Sequence, residues 1–214
     1  MIQSNSILKP YLAPHSYRSY ESIIRKSSNI ERHLTVINET LNNLQNNIPL
    51  ISRIESDLLI SALSDFCENI YSCMDYLSQV IRHEFRKVKR GVELADGFNK
   101  MLSEVEKGKK EIYRDEVVKN MILPASSWYR GVHTIRTEET HYGMGEVFFD
   151  RGIFKYRNQN RNGNPPQIIF EFQNANDIYE SFVVYIKLVE RSLIKLSQNF
   201  SYYYSMFDLR LRAI

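Results

Sequence analysis

Cysteine is scarce in this 214-residue chain, which has only Cys67 and Cys73, six positions apart. The two form neither a Cys-x-x-Cys pair nor a metal-ligand spacing, and a secreted disulfide framework needs more of them. Long apolar runs are missing as well, and none approaches the roughly 20 residues that span a bilayer. The opening "MIQSNSILKP" lacks a charged start followed by an apolar stretch, so it does not read as a secretory signal. Strong charge imbalance is also absent. The 28 basic and 25 acidic residues leave a net +3, which permits a nucleic-acid partner without arguing for one. Phosphate loops, nucleophile elbows and zinc signatures do not occur. These absences predict a soluble, cytoplasmic protein without membrane association, metal or cofactor.

Apolar residues at 43% and aromatics at 12% are enough for a real core. We therefore expect one domain over 1–214, mainly α-helical, with a small antiparallel β insertion near 146–172. Residues 1–50 read as an N-terminal arm and a helix over about Ser19 to Asn43. Its stripe is Ile23, Ile24, Ile30, Leu34, Ile37, Leu41 and Leu44. Bundle helices fill 52–143. The longest, from about Ser52 to Lys89, aligns Leu58, Ala62, Phe66, Ile70, Cys73, Leu77, Val80 and Phe85, and "RKVKRG" marks its end. A shorter helix is predicted over Leu94 to Val105, followed by "EVEKGKKEIYRDE" as a solvated connector or frayed helix.

The next helix starts between Pro124 and Ser127 and ends at Gly143, a left-handed cap. The pattern then changes period, with turn signals at Asp150-Arg151-Gly152 and Asn162 to Pro166. Ile168, Phe170 and Phe172 alternate onto one strand face. "NAND" caps a final helix over 175–199, with Ile178, Phe182, Tyr185, Val189, Leu193 and Leu196 as its stripe. An apolar tail, 200–214, follows and should pack on something. It contains "YYY" at 202–204, which could stack bases as readily as pack.

Chemistry concentrates in "IRTEETHYG", residues 135–143. On a helical wheel Trp128, Val132, Ile135 and Tyr142 fall within about 80° of one another and mark the buried side. Arg136, Thr140, His133, Thr137 and His141 fill an arc of roughly 140° opposite them, in that order. Arg136 and His141 occupy its two edges, so they do not touch through i, i+4 geometry, and a substrate must lie across the face to meet both. The pair suits a phosphodiester. Arginine stays cationic and presents a fork to phosphate oxygens, and histidine moves protons near neutral pH. RNA carries its own nucleophile, the 2′-hydroxyl, so this chemistry needs no metal. His133, Thr137, Thr140 and Tyr142 are the weaker, substrate-binding candidates. Tyr142 also reads as core, and the others as the polar face of a surface helix. Glu139 falls on the apolar side, as a helix-edge residue, half of a buried salt bridge, or an acid of shifted pKa. Glu138-x-x-His141 matches half of a di-iron carboxylate motif, but no second Glu-x-x-His exists.

A long bundle helix followed by a later helix with Arg-x4-His resembles the HEPN superfamily of helical nucleases and nucleotide-binding domains. "IRTEETHYG" followed by strands and a final helix is particularly similar to a branch with a β-hairpin after the motif, and the similarity covers about 52–198. The resemblance implies a homodimer whose two motifs line one cleft, and metal-independent RNA cleavage carried by Arg136 and His141. It also implies a toxin–antitoxin or phage-defence setting, with a cognate antitoxin or regulator as a further partner. The sequence departs from active members at Thr137, where Asn, Asp or His is common, and at Tyr142-Gly143, which replaces a His-x-Tyr ending. The alternative is a non-catalytic HEPN-like module that binds a nucleotide, RNA or protein.

Overall fold

In the computed structural model the described residues are 8–46, 51–88, 93–108, 110–142, 145–158 and 165–211, with backbone only at 46, 142 and 199–211. The fold is mainly α with a small antiparallel sheet. Among the described residues the α-helices are α1 (Pro14–Asn46), α2 (Arg53–Val88), α3 (Phe98–Lys107), α4 (Glu116–Ile122), α5 (Ser126–Tyr142) and α6 (Ala175–Leu211). The strands among the described residues are β1 (Glu146–Asp150), β2 (Ile153–Arg157) and β3 (Ile168–Glu171), in the order β1-β2-β3. No helix among the described residues is long and apolar enough to cross a membrane. The chain gathers into two compact units, one of 25–73 and 125–182, the other of 8–24, 74–124 and 183–211 among the described residues.

In the first unit, Ser52 and Glu55 start α2 with a reciprocal cap. The Ser52 backbone N–H donates to Glu55 Oε2 at 2.9 Å, and the Glu55 N–H donates to Ser52 Oγ at 3.2 Å. The core gathers Ile30, Ile37, Leu63, Phe66, Ile70, Val132, Ile135 and Phe182, all fully buried. Leu58, expected on the buried stripe of α2, is instead 46% exposed, while Leu59 and Leu63 are buried. The stripe is displaced at that end because a long buried helix offers more than one apolar face. Cys67 and Cys73 are buried and not joined in a disulfide, and burial pushes both thiols up, Cys73 to about 12. They serve as small apolar core residues.

The hairpin turn forms where expected. Arg151 at φ 50° and Gly152 at φ 85° make a two-residue turn whose twist matches the strands. Phe154, Tyr156 and Phe170 are buried, but Ile168 is 51% exposed. The register shifts between Tyr156 and Arg157, and Ile168 lines a cleft of about 430 Å³ with Trp128, Phe170 and Ile178. The expected second turn, Asn162 to Pro166, falls largely outside the described residues, as does the Gly143 cap.

In the second unit, α1 begins at Pro14 rather than Ser19, because proline is well suited to the first helical position. α3 begins at Phe98 rather than Leu94. Its start is fixed by Gly97, at φ 78°, and by Asp75 Oδ1, which accepts the Phe98 N–H at 3.0 Å. The charged stretch after it includes the end of α3 and a short 3-10 turn, with Glu106, Lys107, Lys110, Glu111, Arg114 and Glu116 exposed. Gly108 closes α3 in the left-handed conformation, a 3-10 turn follows at Glu111–Arg114, and Tyr113 is fully buried. Asp115 then caps α4, accepting the Val117 N–H at 2.9 Å. Periodicity does not announce α4, because its short apolar set, Val118, Met121 and Ile122, sits behind a charged run. Tyr185 of α6 packs on Phe98, with ring centroids 5.9 Å apart, and donates to the Met121 carbonyl at 2.6 Å. α6 itself runs to Leu211 instead of stopping near Asn199, so the expected tail continues the helix. What its side chains pack on, "YYY" included, lies outside the described residues.

Candidate functional site

α5 buries Trp128, Tyr129, Val132 and Ile135. Tyr129 falls at about 100° on the wheel that places Trp128 at zero, between Arg136 and Thr140. The sector read as open and polar is therefore packed along its first turns. The cover is Tyr71 of α2. Its ring stacks 6.3 Å from that of Tyr129, lies 5.9 Å from that of His133, and carries the Arg136 guanidinium 4.6 Å from its centroid. One aromatic side chain thus seats three residues of the motif helix.

Arg136 is held from a second direction. Its Nε donates to Glu68 Oε2 at 3.1 Å, with 29% of the arginine side chain and 49% of the glutamate still exposed. Its two terminal nitrogens make no hydrogen bond among the described residues. The arrangement fixes the guanidinium plane and leaves the far side of its fork available to a phosphate. Glu68 and Tyr71 went unnoticed in the sequence because nothing local distinguishes them. They sit three apart on α2, on the same side of the helix.

The other candidates differ in setting. His141 is exposed on the last turn of α5. His133 is half-buried, and its ring lies 6.3 Å from that of Tyr129 as well as near Tyr71, so it is an aromatic-packed histidine rather than a solvated one. Thr140 is exposed, but its hydroxyl donates to the Arg136 carbonyl at 2.8 Å, which commits it to the helix backbone. Thr137 is half-buried, and the Tyr142 side chain lies outside the described residues. Glu138 takes a 3.4 Å hydrogen bond from Asn158 Nδ2, and no cluster of metal-ligating side chains occurs among the described residues.

Glu139 resolves into the acid of shifted pKa. It forms no ion pair among the described residues; the hydroxyls of Ser64 and Tyr156 approach its carboxyl, yet Oε1 is buried without a well-formed hydrogen bond. Burial raises its pKa above the ordinary glutamate value, and the two hydroxyls only partly oppose that. Tyr156 is pushed up to about 12, first by burial, and accepts the Gly145 N–H at 2.8 Å. A Cβ on Gly145 would stand 1.9 Å from the Arg157 carbonyl oxygen, so only glycine lets the chain leaving α5 close against β2.

No protein-family model, no curated protein and no solved structure matches the chain. The reading of this face rests on its own chemistry.

Proposed function

We propose that the C-terminal half of α5 handles an RNA phosphodiester, as a HEPN-like, metal-independent endoribonuclease acting in a pair of copies. The observation that carries the reading is the anchoring of Arg136. Glu68 and Tyr71 hold its guanidinium while its terminal nitrogens keep donor capacity, and His141 stands exposed farther along the same helix. In this mechanism His141 accepts the 2′-hydroxyl proton, or delivers a proton to the departing 5′-oxygen. The 2′-oxygen attacks phosphorus, the bond to the 5′-oxygen breaks, and a 2′,3′-cyclic phosphate remains. Arg136 offsets the charge that builds on the non-bridging oxygens. A second copy supplies the partner for the proton transfer that one histidine cannot perform alone.

The test is cleavage of RNA in EDTA by wild type, Arg136→Ala and His141→Ala. Each substitution is expected to lower the rate by about 10²-fold or more. Activity that persists in both variants removes these residues from the mechanism, and cleavage that demands added metal refutes it. The ion pair with Glu68 favours a second reading, because a carboxylate beside Arg136 weakens its pull on phosphate. In that reading the face binds a nucleotide, RNA or protein without cleaving. RNA binding that Arg136→Ala abolishes, with no product formed by wild type, selects it.

A further inference from the structure

The second unit contains a polar cavity of about 260 Å³, walled by α2, the segment before α3, α3 itself and the 3-10 turn. Arg82, Arg86, Lys100 and Lys110 line it, facing Glu93, Asp96 and Glu104. Two of these acids hold arginines from outside. Arg86 Nη2 meets Glu93 Oε1 at 2.6 Å, and Arg82 pairs with Asp96. Both acids are highly exposed, at 77% and 81%, so the pairs are screened by water and yield readily to a better anion. The ammonium groups of Lys100 and Lys110 have no partner among the described residues.

Two buried donors give the cavity a preference. Tyr113 is fully buried and lines it; its oxygen accepts the Ala95 N–H at 2.7 Å, while its own O–H has no acceptor among the described residues. Burial holds that phenol above its ordinary pKa, so it remains a donor. Arg82 Nε is likewise buried without a hydrogen bond. A buried donor left unmade is costly, and an incoming acceptor removes that cost. Against the carboxylates of Glu93, Asp96 and Glu104, the two arginine forks and two ammonium groups leave a small positive excess, and with the phenol they suit a compact anion with several acceptor oxygens. That is the description of a phosphoryl group.

We propose that this cavity binds the phosphoryl group of a small phosphorylated ligand. Its volume lies below the roughly 300–1,000 Å³ of sites that enclose a drug-sized molecule, so it takes the phosphoryl head and leaves the remainder outside. The site uses no residue of α5, and it stands or falls independently of the ribonuclease reading.

Calorimetric titration of the full chain with inorganic phosphate and with glycerol 3-phosphate tests it, against sodium chloride at matched ionic strength. Saturable binding of a phosphoryl compound is expected. Tighter binding of the ester identifies an organic phosphate as the ligand, and tighter binding of the ion identifies free phosphate. The exposed pair Lys100→Gln with Lys110→Gln should weaken that binding about tenfold or more without disturbing the fold. Tyr113→Phe should weaken it about tenfold. Arg136→Ala should leave it unchanged, which separates this site from the face of α5. Equal heats with chloride, or undiminished affinity in the lysine variant, overturn the proposal.

Discussion

The face of α5 and the cavity beside α3 both offer cations to an anion, but they hold them differently. On α5 a single arginine is anchored by one carboxylate and one ring, on a half-buried helix turn. In the cavity four cations come from three segments, α2, α3 and the start of the 3-10 turn, and two of its polar groups, the Tyr113 hydroxyl and Arg82 Nε, are buried. The first arrangement suits transient contact with a long substrate that brings its own reactive group. The second suits retention of a small ligand. The two also differ in how they are gathered: Arg136 is held by Glu68 and Tyr71 from a helix far away in the chain, whereas the whole lining of the cavity falls within residues 82–113.

Three substitutions probe the two regions and the elements that support them. The largest effect is expected from Gly145→Ala, whose new Cβ collides with the Arg157 carbonyl oxygen. It should cost about 3 kcal/mol, or roughly 6–12 °C in Tm, as the strand is forced off its seat beside α5. Denaturation within about 0.5 kcal/mol of wild type would show that the seat is loose.

Glu139→Gln comes next. An acid whose pKa burial raises binds its proton more tightly folded than unfolded. Its favourable contribution is therefore present at low pH and is lost as pH climbs from the unfolded value through the folded one. Removing the ionisation should gain on the order of 1 kcal/mol at pH 7 and almost nothing near pH 4. Tm curves of the two proteins that ran parallel across that range would mean the carboxyl is well solvated.

The smallest effect on stability belongs to Glu68→Gln, within about 1 kcal/mol because the pair is half exposed. Its effect on binding is the sharper probe. Released from its carboxylate, Arg136 should tighten RNA binding at low salt and steepen the salt dependence by about one ion. An unchanged slope would show that Arg136 does not meet a phosphate. Phosphate binding in the cavity should be indifferent to the same change.

Much of the fold was legible because long helices announce themselves through periodicity. α1, α2, α5 and the start of α6 lie close to where their apolar spacing places them, and the Asp150-Arg151-Gly152 turn joins β1 to β2. Boundaries failed where local rules conflict. The continuation of α6 through a tyrosine-rich stretch and the short α4 behind a lysine run both contradict composition. On α5 the wheel separated Trp128, Val132 and Ile135 from Arg136, but it could not reveal that Tyr71 covers the sector next to them. The cavity was illegible altogether. Its cations, Arg82, Arg86, Lys100 and Lys110, read one by one as ordinary solvated charge, and only the burial of Tyr113 among them marks the site.

Trp128 is the chain's only tryptophan, against fourteen tyrosines. It sits on the first turn of α5, its ring 6.1 Å from that of Tyr129 and 6.2 Å from that of Phe182, and it lines the cleft shared with Ile168. Light absorbed selectively by indole therefore interrogates a single point of the molecule, and the colour of the emission reports how wet that point is. The protein carries its own optical gauge on the helix that bears Arg136 and His141, with no dye to attach.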